Sequence, residues 1–581
     1  MQLSVADSLC FHRLCKALQP LVAAHGSENV VLALLSHWMA AVAPQLTCPT
    51  APPLEGDASL QAFLAWLDGA DVLTGAFWIS SAYAQLVDKA RRKNQAMYFT
   101  SPHLAKRLLD HAGDSLLDGP IVDPACGGAA FLAPVALRLA EQLEGRGQSS
   151  AEILAYIERN LHGIDLDPFL CLLSKTFLRV ALARHIVAAD YEPGLQVTVG
   201  DGLSRAALSA GSYGLVLCNP PYRKMTRSET APYVEDYGTL MQGQPNLYTL
   251  FIARAMELLR DAGTAVLLTP MSFVSGKSFS ALRQQMTLSG HVRRLDLIHD
   301  KMGVFLGAEQ DTAITLWQKH STEARGTDIH VLQAEGNWVW TGRPPLPPST
   351  QPWPLPRETD DATLLHLFEQ RQHTLASYGY ATKTGLIVMH RNQLPTHARR
   401  MDAHHPGHLM PLVWQSDISV NKPLSLAEAL WVSHRYIDIG QCDAAGTIRR
   451  PAVVIQRVTS AKQPRRLVCA PVPESAYREF GGVVGENHVC FIEQVGDTAL
   501  ANTELLCAIL RTRTVDRLFR CISGVTNVSA YELAALPMPD PVMVKQAMAA
   551  GLGIETAVRI GFGLSPAPFA RAHHELRTCD E

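Results

Sequence analysis

Apolar residues recur at helical spacing through residues 1 to about 90, with breaks at Pro44, Pro49 and Pro52–Pro53, and this periodicity predicts an all-helical segment. From about 91 to 320 the pattern changes. Short β-branched runs end in Gly, Asp or Asn and alternate with helical stretches. They are Pro120-Ile121-Val122-Asp123, Leu161-His162-Gly163-Ile164-Asp165, Gln196-Val197-Thr198-Val199-Gly200-Asp201, Gly214-Leu215-Val216-Leu217-Cys218-Asn219 and Thr264-Ala265-Val266-Leu267-Leu268. Strands alternating with helices predict a parallel, doubly wound α/β sheet, which binds ligands at the carboxyl ends of its strands. Residues 341–357 hold seven prolines, a density that excludes a helix and suggests a stiff linker.

Composition narrows the class. The 581 residues are 47% hydrophobic and 18% charged, enough to fill ordinary cores and too apolar for global disorder. The start, MQLSVADSLCFHR, lacks a basic leader followed by an apolar run, and Val30 to Ala43 is too short to span a bilayer. The twelve cysteines are scattered without a Cys-x-x-Cys pair, so a cytoplasmic chain is expected, without a membrane partner. Cys10, His12 and Cys15 fall within one or two turns of a helix and read as core residues; no metal is expected.

Net charge is −3, which hides an asymmetry. Residues 1–90 carry three Lys/Arg against seven Asp/Glu, a net of −4, whereas residues 371–470 carry thirteen against five, a net of +8. The second stretch is the candidate for holding an anionic polymer.

Cys218-Asn219-Pro220-Pro221-Tyr222 closes an apolar strand. Pro220 and Pro221 lock φ and remove two backbone donors. The Pro220 carbonyl and the Asn219 side chain then form a rigid pair of acceptors, suited to an exocyclic planar amine. Tyr222 offers a flat face for a ring. Alone, the tetrapeptide could be an ordinary proline-capped turn. Its surroundings add to it. Asp123-Pro124-Ala125-Cys126-Gly127-Gly128-Ala129-Ala130 follows a strand and precedes a helix, and its small residues let backbone approach a ligand. Asp165 at the next strand tip is placed to accept from ribose hydroxyls, and Asp201 from an adenine amino group.

The order of these segments resembles the gamma class of amino DNA methyltransferases, of the TaqI and PstI type. In that family a Phe-Thr-Pro element precedes the Gly-rich loop and covers the methionine end of S-adenosylmethionine. Tyr98-Phe99-Thr100-Ser101-Pro102-His103 matches it, with one extra residue between Thr and Pro. The resemblance makes Thr100, Asp123, Ala125, Gly127, Asp165, Asp201 and Asn219 the cofactor-binding set, and Asn219, Pro220, Pro221 and Tyr222 the catalytic loop. One departure is Ala129 where the family usually has Gly; its methyl group would crowd the cofactor unless the neighbouring Gly128 compensates, and inactivation is not expected. Gly303-Val304-Phe305-Leu306-Gly307, followed by Thr312 to Trp317, looks like the family's last core hairpin, and Phe305 is the candidate to stack on a flipped base. Lys383-Thr384-Gly385, Gln456-Arg457-Val458-Thr459, Glu486-Asn487-His488 and Ser523 to Ser529 resemble segments of the PstI-type recognition half.

The fold then expected is a Rossmann-like methyltransferase core over 91–340, an N-terminal helical segment over 1–90, a linker over 341–357 and an α+β DNA-recognition domain over 358–581. The function implied is transfer of a methyl group from S-adenosylmethionine to N6 of a flipped adenine in double-stranded DNA. A separate restriction endonuclease is the family's usual partner. Arg391, Arg457, Arg465 and Arg466 are candidate phosphate contacts. Methylation of RNA or of a protein glutamine, an N4-cytosine target, and a degenerate DNA-binding specificity subunit stay open as alternatives.

Overall fold

The computed structural model describes residues 5–54, 56–95, 97, 99–299, 311–320, 326–347, 351–392, 394–400, 408–420, 422–428, 433–439, 446–459, 463–524 and 527–566. The chain divides into two compact units. The first comprises Met1–Phe273, Ser278–Trp340 and Pro345–Thr350; the second comprises Val274–Lys277, Thr341–Pro344 and Gln351–Glu581.

The first sheet has nine strands: β1 (Ile121–Asp123), β2 (Leu161–Asp165), β3 (Gln196–Val199), β4 (Tyr213–Cys218), β5 (Leu259–Pro270), β6 (Gly290–Ile298), β7 (Thr312–Lys319), β8 (Asp328–Leu332) and β9 (Trp338–Gly342). Their spatial order is β3-β2-β1-β4-β5-β7-β6-β8-β9. β1 to β5 pair in parallel, whereas β7 runs antiparallel to both β5 and β6. The alternating pattern of the sequence thus gives the expected doubly wound α/β sheet. The chain winds from β1 outward to β3, then returns to place β4 on the other side of β1. That reversal opens a crevice at the carboxyl ends of β1 and β4. β1 and β4 are buried along their whole length, which explains their continuous rather than alternating apolar pattern.

The N-terminal helices pack into the same apolar core as the sheet. Phe11, Trp38 and Phe63 share one cluster with Phe131, Phe177 and Leu215. Trp38 meets Phe177 edge-on at 5.8 Å. From helix Val72–Leu86, Tyr83 donates its hydroxyl to Asp167 Oδ2 at 3.1 Å, and Arg91 Nη2 pairs with the same oxygen at 3.0 Å. Asp167 also caps helix Pro168–Ala181 through the N–H groups of Phe169 and Leu170. The helices between Val5 and Gln95 thus buttress the core of the sheet.

The second unit is α+β. A four-stranded antiparallel sheet orders Tyr380–Thr384, Val489–Gln494, Ala452–Gln456 and Cys469–Pro471, and helices Thr503–Leu510 and Arg513–Ile522 contribute to its core. A five-stranded sheet is built around Leu409–Val413. In the proline-rich stretch Trp353 and Leu355 are fully buried, and the Leu355 N–H donates to the Cys521 carbonyl at 2.7 Å. Residues 352–356 are therefore a packed extended segment of this unit, not a solvated spacer, because their apolar side chains outweigh the surface tendency of proline.

Candidate functional site

Because β1 to β4 run in parallel, their carboxyl ends bring Asp123, Asp165, Asp201 and Asn219 to one edge of the sheet. They line a single cavity of about 440 Å³, together with Thr100, Ala125, Gly127 and Pro221. All seven residues assigned to the cofactor from the sequence face this one cavity.

The loop after β1 is held from both sides. Asp123 Oδ1 accepts from the Ala125 N–H at 3.0 Å, and Asp165 Oδ2 accepts from the Gly127 N–H at 2.9 Å. Asp165 Oδ1 accepts from the Asp167 N–H at 2.9 Å. Asp123 is 1% exposed, and burial pushes its carboxyl up to about 8; the Ala125 N–H acts against the shift and the charge of Asp165 adds to it. Burial likewise raises Asp165, with its backbone hydrogen bonds opposing. Cations and hydroxyl donors relieve such desolvated carboxylates. Asp201 Oδ1 accepts from the Leu203 N–H at 2.9 Å and Oδ2 from the Tyr233 hydroxyl at 2.8 Å.

A Cβ at Gly128 would collide with the Ser80 hydroxyl of the N-terminal helices, so close approach demands glycine there. Ala129 has φ +58°, in the left-handed region. It is 1% exposed and lies behind the wall of the main cavity, while Gly127 and Ala130 line it. The expected crowding of the cofactor by the Ala129 methyl is therefore corrected: the departure from Gly strains the backbone instead.

In the Asn219–Tyr222 loop, Asn219 Nδ2 donates to Thr100 Oγ1 at 3.0 Å. Pro220 is buried. The Tyr222 hydroxyl donates to the Leu268 carbonyl on β5 at 2.9 Å, which anchors the tip of the side chain. Cys126 and Cys218 are buried thiols beside these loops. The hydrogen-bonded neighbour Cys171 and burial push Cys126 up, and burial pushes Cys218 up, which disfavours the thiolate at both. Phe305 lies outside the described residues. Among the described residues, no group of three His, Cys, Asp or Glu is placed to hold a metal.

The sequence reading missed further lining residues. Leu166 follows Asp165 and is 65% exposed, an apolar side chain held open at the cavity. Its position next to a strand-end acid was the available signal. Arg223, Glu229 and Tyr233 come from the segment after the catalytic loop, and Arg223 pairs with Glu229 at 2.6 Å. No local pattern announces that this segment folds back over Asp201.

In the second unit, four separated segments converge. The Gly385 N–H donates to the Val489 carbonyl at 2.9 Å, Arg457 N–H to His488 at 2.8 Å, and Val528 N–H to Arg457 at 2.7 Å. Arg457 Nη1 donates to the Asn487 carbonyl at 2.8 Å, half-buried. Arg391 is exposed on the turn Met389–Arg391. Arg465 donates to the Arg511 carbonyl. Arg466 is 5% exposed and Nη2 donates to Ser523 at 2.9 Å, so it fastens the fold and its selection as a phosphate contact is corrected.

The sheet order, the Gly-rich loop and the Asn-Pro-Pro-Tyr loop define a Rossmann-like methyltransferase fold. The model of the Eco57I restriction-modification methylase family matches residues 159–305. The chain is 22% identical to Type II methyltransferase M.BsuBI of Bacillus subtilis, covering 74% of this chain and 84% of that one. It is 21% identical to Type II methyltransferase M.PstI of Providencia stuartii, covering 79% and 90%. The structure of the Type IIL restriction-modification enzyme MmeI in complex with DNA superposes with a TM-score of 0.56 at 14% identity, over 98% of this chain and 97% of that one, a likeness of fold. The resemblance drawn from the motifs is thus accompanied by sequence similarity to Type II methyltransferases, M.PstI among them, over about three quarters of the chain. Among the described residues, no helix is long and apolar enough to cross a membrane.

Proposed function

We propose that the chain is a site-specific DNA methyltransferase that uses S-adenosylmethionine and modifies N6 of adenine. The observation that carries this reading is the single cavity shared by Asp123, Asp165, Asp201 and Asn219. Its desolvated acceptors suit a ligand bearing an ammonium, ribose hydroxyls and an adenine amine. Asp165 is assigned to the ribose and Asp201 to the adenine edge. Thr100, Ala125 and Gly127 wall the remainder. When bound, S-adenosylmethionine supplies an electrophilic methyl group.

The target amine lies inside the duplex stack, so the base is flipped out before reaction. Asn219 Oδ1 and the Pro220 carbonyl accept the two amine N–H groups and aim the nitrogen lone pair. Tyr222 offers its tethered ring to the base. Most of the rate gain is positioning. No side chain is required as a general base, because the N-methylated arylammonium is a strong acid and releases its proton to water. The basic stretch 371–470 of the second unit holds backbone phosphates, with Arg391 as the exposed candidate, and the four converging segments read the site. A restriction endonuclease of the same specificity is the partner class this reading implies.

Tritiated methyl transfer to duplex DNA, RNA and protein in parallel tests the reading, followed by sequencing of modified bases in a host that expresses the chain. Label in RNA or protein alone, or at cytosine, replaces it with another.

A further inference from the structure

We infer that Thr100 is a positioning residue that restrains the Asn219 amide where it meets the target amine. The inference rests on the methyltransferase reading and deepens it. The family resemblance assigns Thr100 only to the cofactor. In the structure Thr100 is 2% exposed, and its Oγ1 accepts from Asn219 Nδ2 at 3.0 Å across 119 residues of sequence.

An asparagine amide turns about a broad, roughly two-fold terminal torsion. One orientation presents Oδ1, an acceptor, to an incoming amine; the other presents Nδ2, a donor, and donor would face donor. The Thr100 hydroxyl, bound to Nδ2, restrains that torsion and holds the amide group in one place. The prolines that follow stiffen the backbone of this loop, but they leave that side-chain torsion unset.

Thr100 itself stands on a fixed mount. It lies two residues before helix Pro102–Ala112, whose Arg107 Nε donates to Asp296 Oδ2 at 2.7 Å and whose His111 Nε2 lies 2.6 Å from the same oxygen. Asp296 is fully buried on β6, and Arg294 adds a third contact at 2.8 Å. Three side chains thus clamp one carboxylate and tie this helix to the sheet that carries Asn219.

The test compares the full-length chain with Thr100→Val, Thr100→Ala and Thr100→Ser. Initial rates use tritiated S-adenosylmethionine and unmethylated phage DNA, cofactor affinity is measured by calorimetry, and Tm reports folding. Loss of this hydrogen bond is expected to lower kcat about tenfold in the Val and Ala variants. The loss falls on kcat more than on cofactor Kd, KM for DNA stays within about twofold, and Thr100→Ser restores kcat. Thr100→Ala keeps the test decisive if the Val variant unfolds. An unchanged kcat overturns the inference. So does a raised cofactor Kd at constant kcat, which would make Thr100 a cofactor contact. A wild-type chain that moves no methyl group to DNA overturns the parent reading and this inference with it.

Discussion

The Tyr233 hydroxyl donates to Asp201 at 2.8 Å and so occupies the carboxylate assigned to the adenine edge. The other oxygen of Asp201 accepts the Leu203 N–H. Asp201→Asn puts a donor where acceptors are needed and is expected to raise the cofactor Kd by about tenfold or more, the scale of a charge-assisted hydrogen bond. Tyr233→Phe removes a competitor for the same oxygen and leaves affinity equal or tighter. Calorimetric titration with S-adenosylmethionine checks both; weaker binding by Tyr233→Phe would make Tyr233 a partner rather than a competitor.

Asn219→Ala removes the side-chain acceptor of the catalytic loop. Methyl transfer is expected to fall by at least about a hundredfold, as when a positioned polar group is lost from an active site. DNA binding, measured by anisotropy, is retained. Full activity in this variant would sink the catalytic assignment.

Asp123 makes stability depend on pH. Its folded carboxyl holds a proton up to about 8, whereas an exposed Asp releases it near about 3.9. Below that lower value both states are protonated. Between the two values the unfolded chain binds fewer protons, so stability from this group falls as pH rises and levels off above about 8. Asp165 and Glu532, also raised by burial, act in the same direction. Asp123→Asn is expected to flatten the fall of Tm between about pH 4 and 8. An identical slope in wild type and variant would contradict the assignment.

Ala129 sits at φ +58°, where a Cβ costs roughly 1–2 kcal/mol and glycine costs less. Ala129→Gly is expected to stabilise the chain by about 1 kcal/mol in urea unfolding. A lower midpoint would mean that packing of the methyl outweighs the strain.

Two arginines separate binding from folding. Arg391→Ala is expected to lower DNA affinity and to reduce the slope of log K against log salt by about 1, with Tm unchanged. Arg466→Ala loses a buried charged hydrogen bond and is expected to cost about 2 kcal/mol of stability. Measuring Tm and salt-dependent anisotropy for both variants distinguishes them, and the reverse pattern would exchange their roles.

The sequence by itself determined the strands and their tips. β4 was legible because a buried parallel strand writes itself as a local apolar run, here Leu215-Val216-Leu217, and the polar residue at its end follows from where that run stops. Asn219 and its prolines were legible because a rigid acceptor pair needs consecutive residues. What tertiary structure decided is which side chains meet. Thr100 reaches Asn219 across 119 residues, Tyr233 reaches Asp201 across 32, and Tyr83 reaches Asp167 across 84. No local periodicity encodes those distances. Arg466 lies in the +8 stretch yet is buried, while Arg391 in the same stretch is exposed. Charge is a property of composition; whether a charge faces water is fixed by packing, since each buried polar group must find partners that only the folded chain supplies.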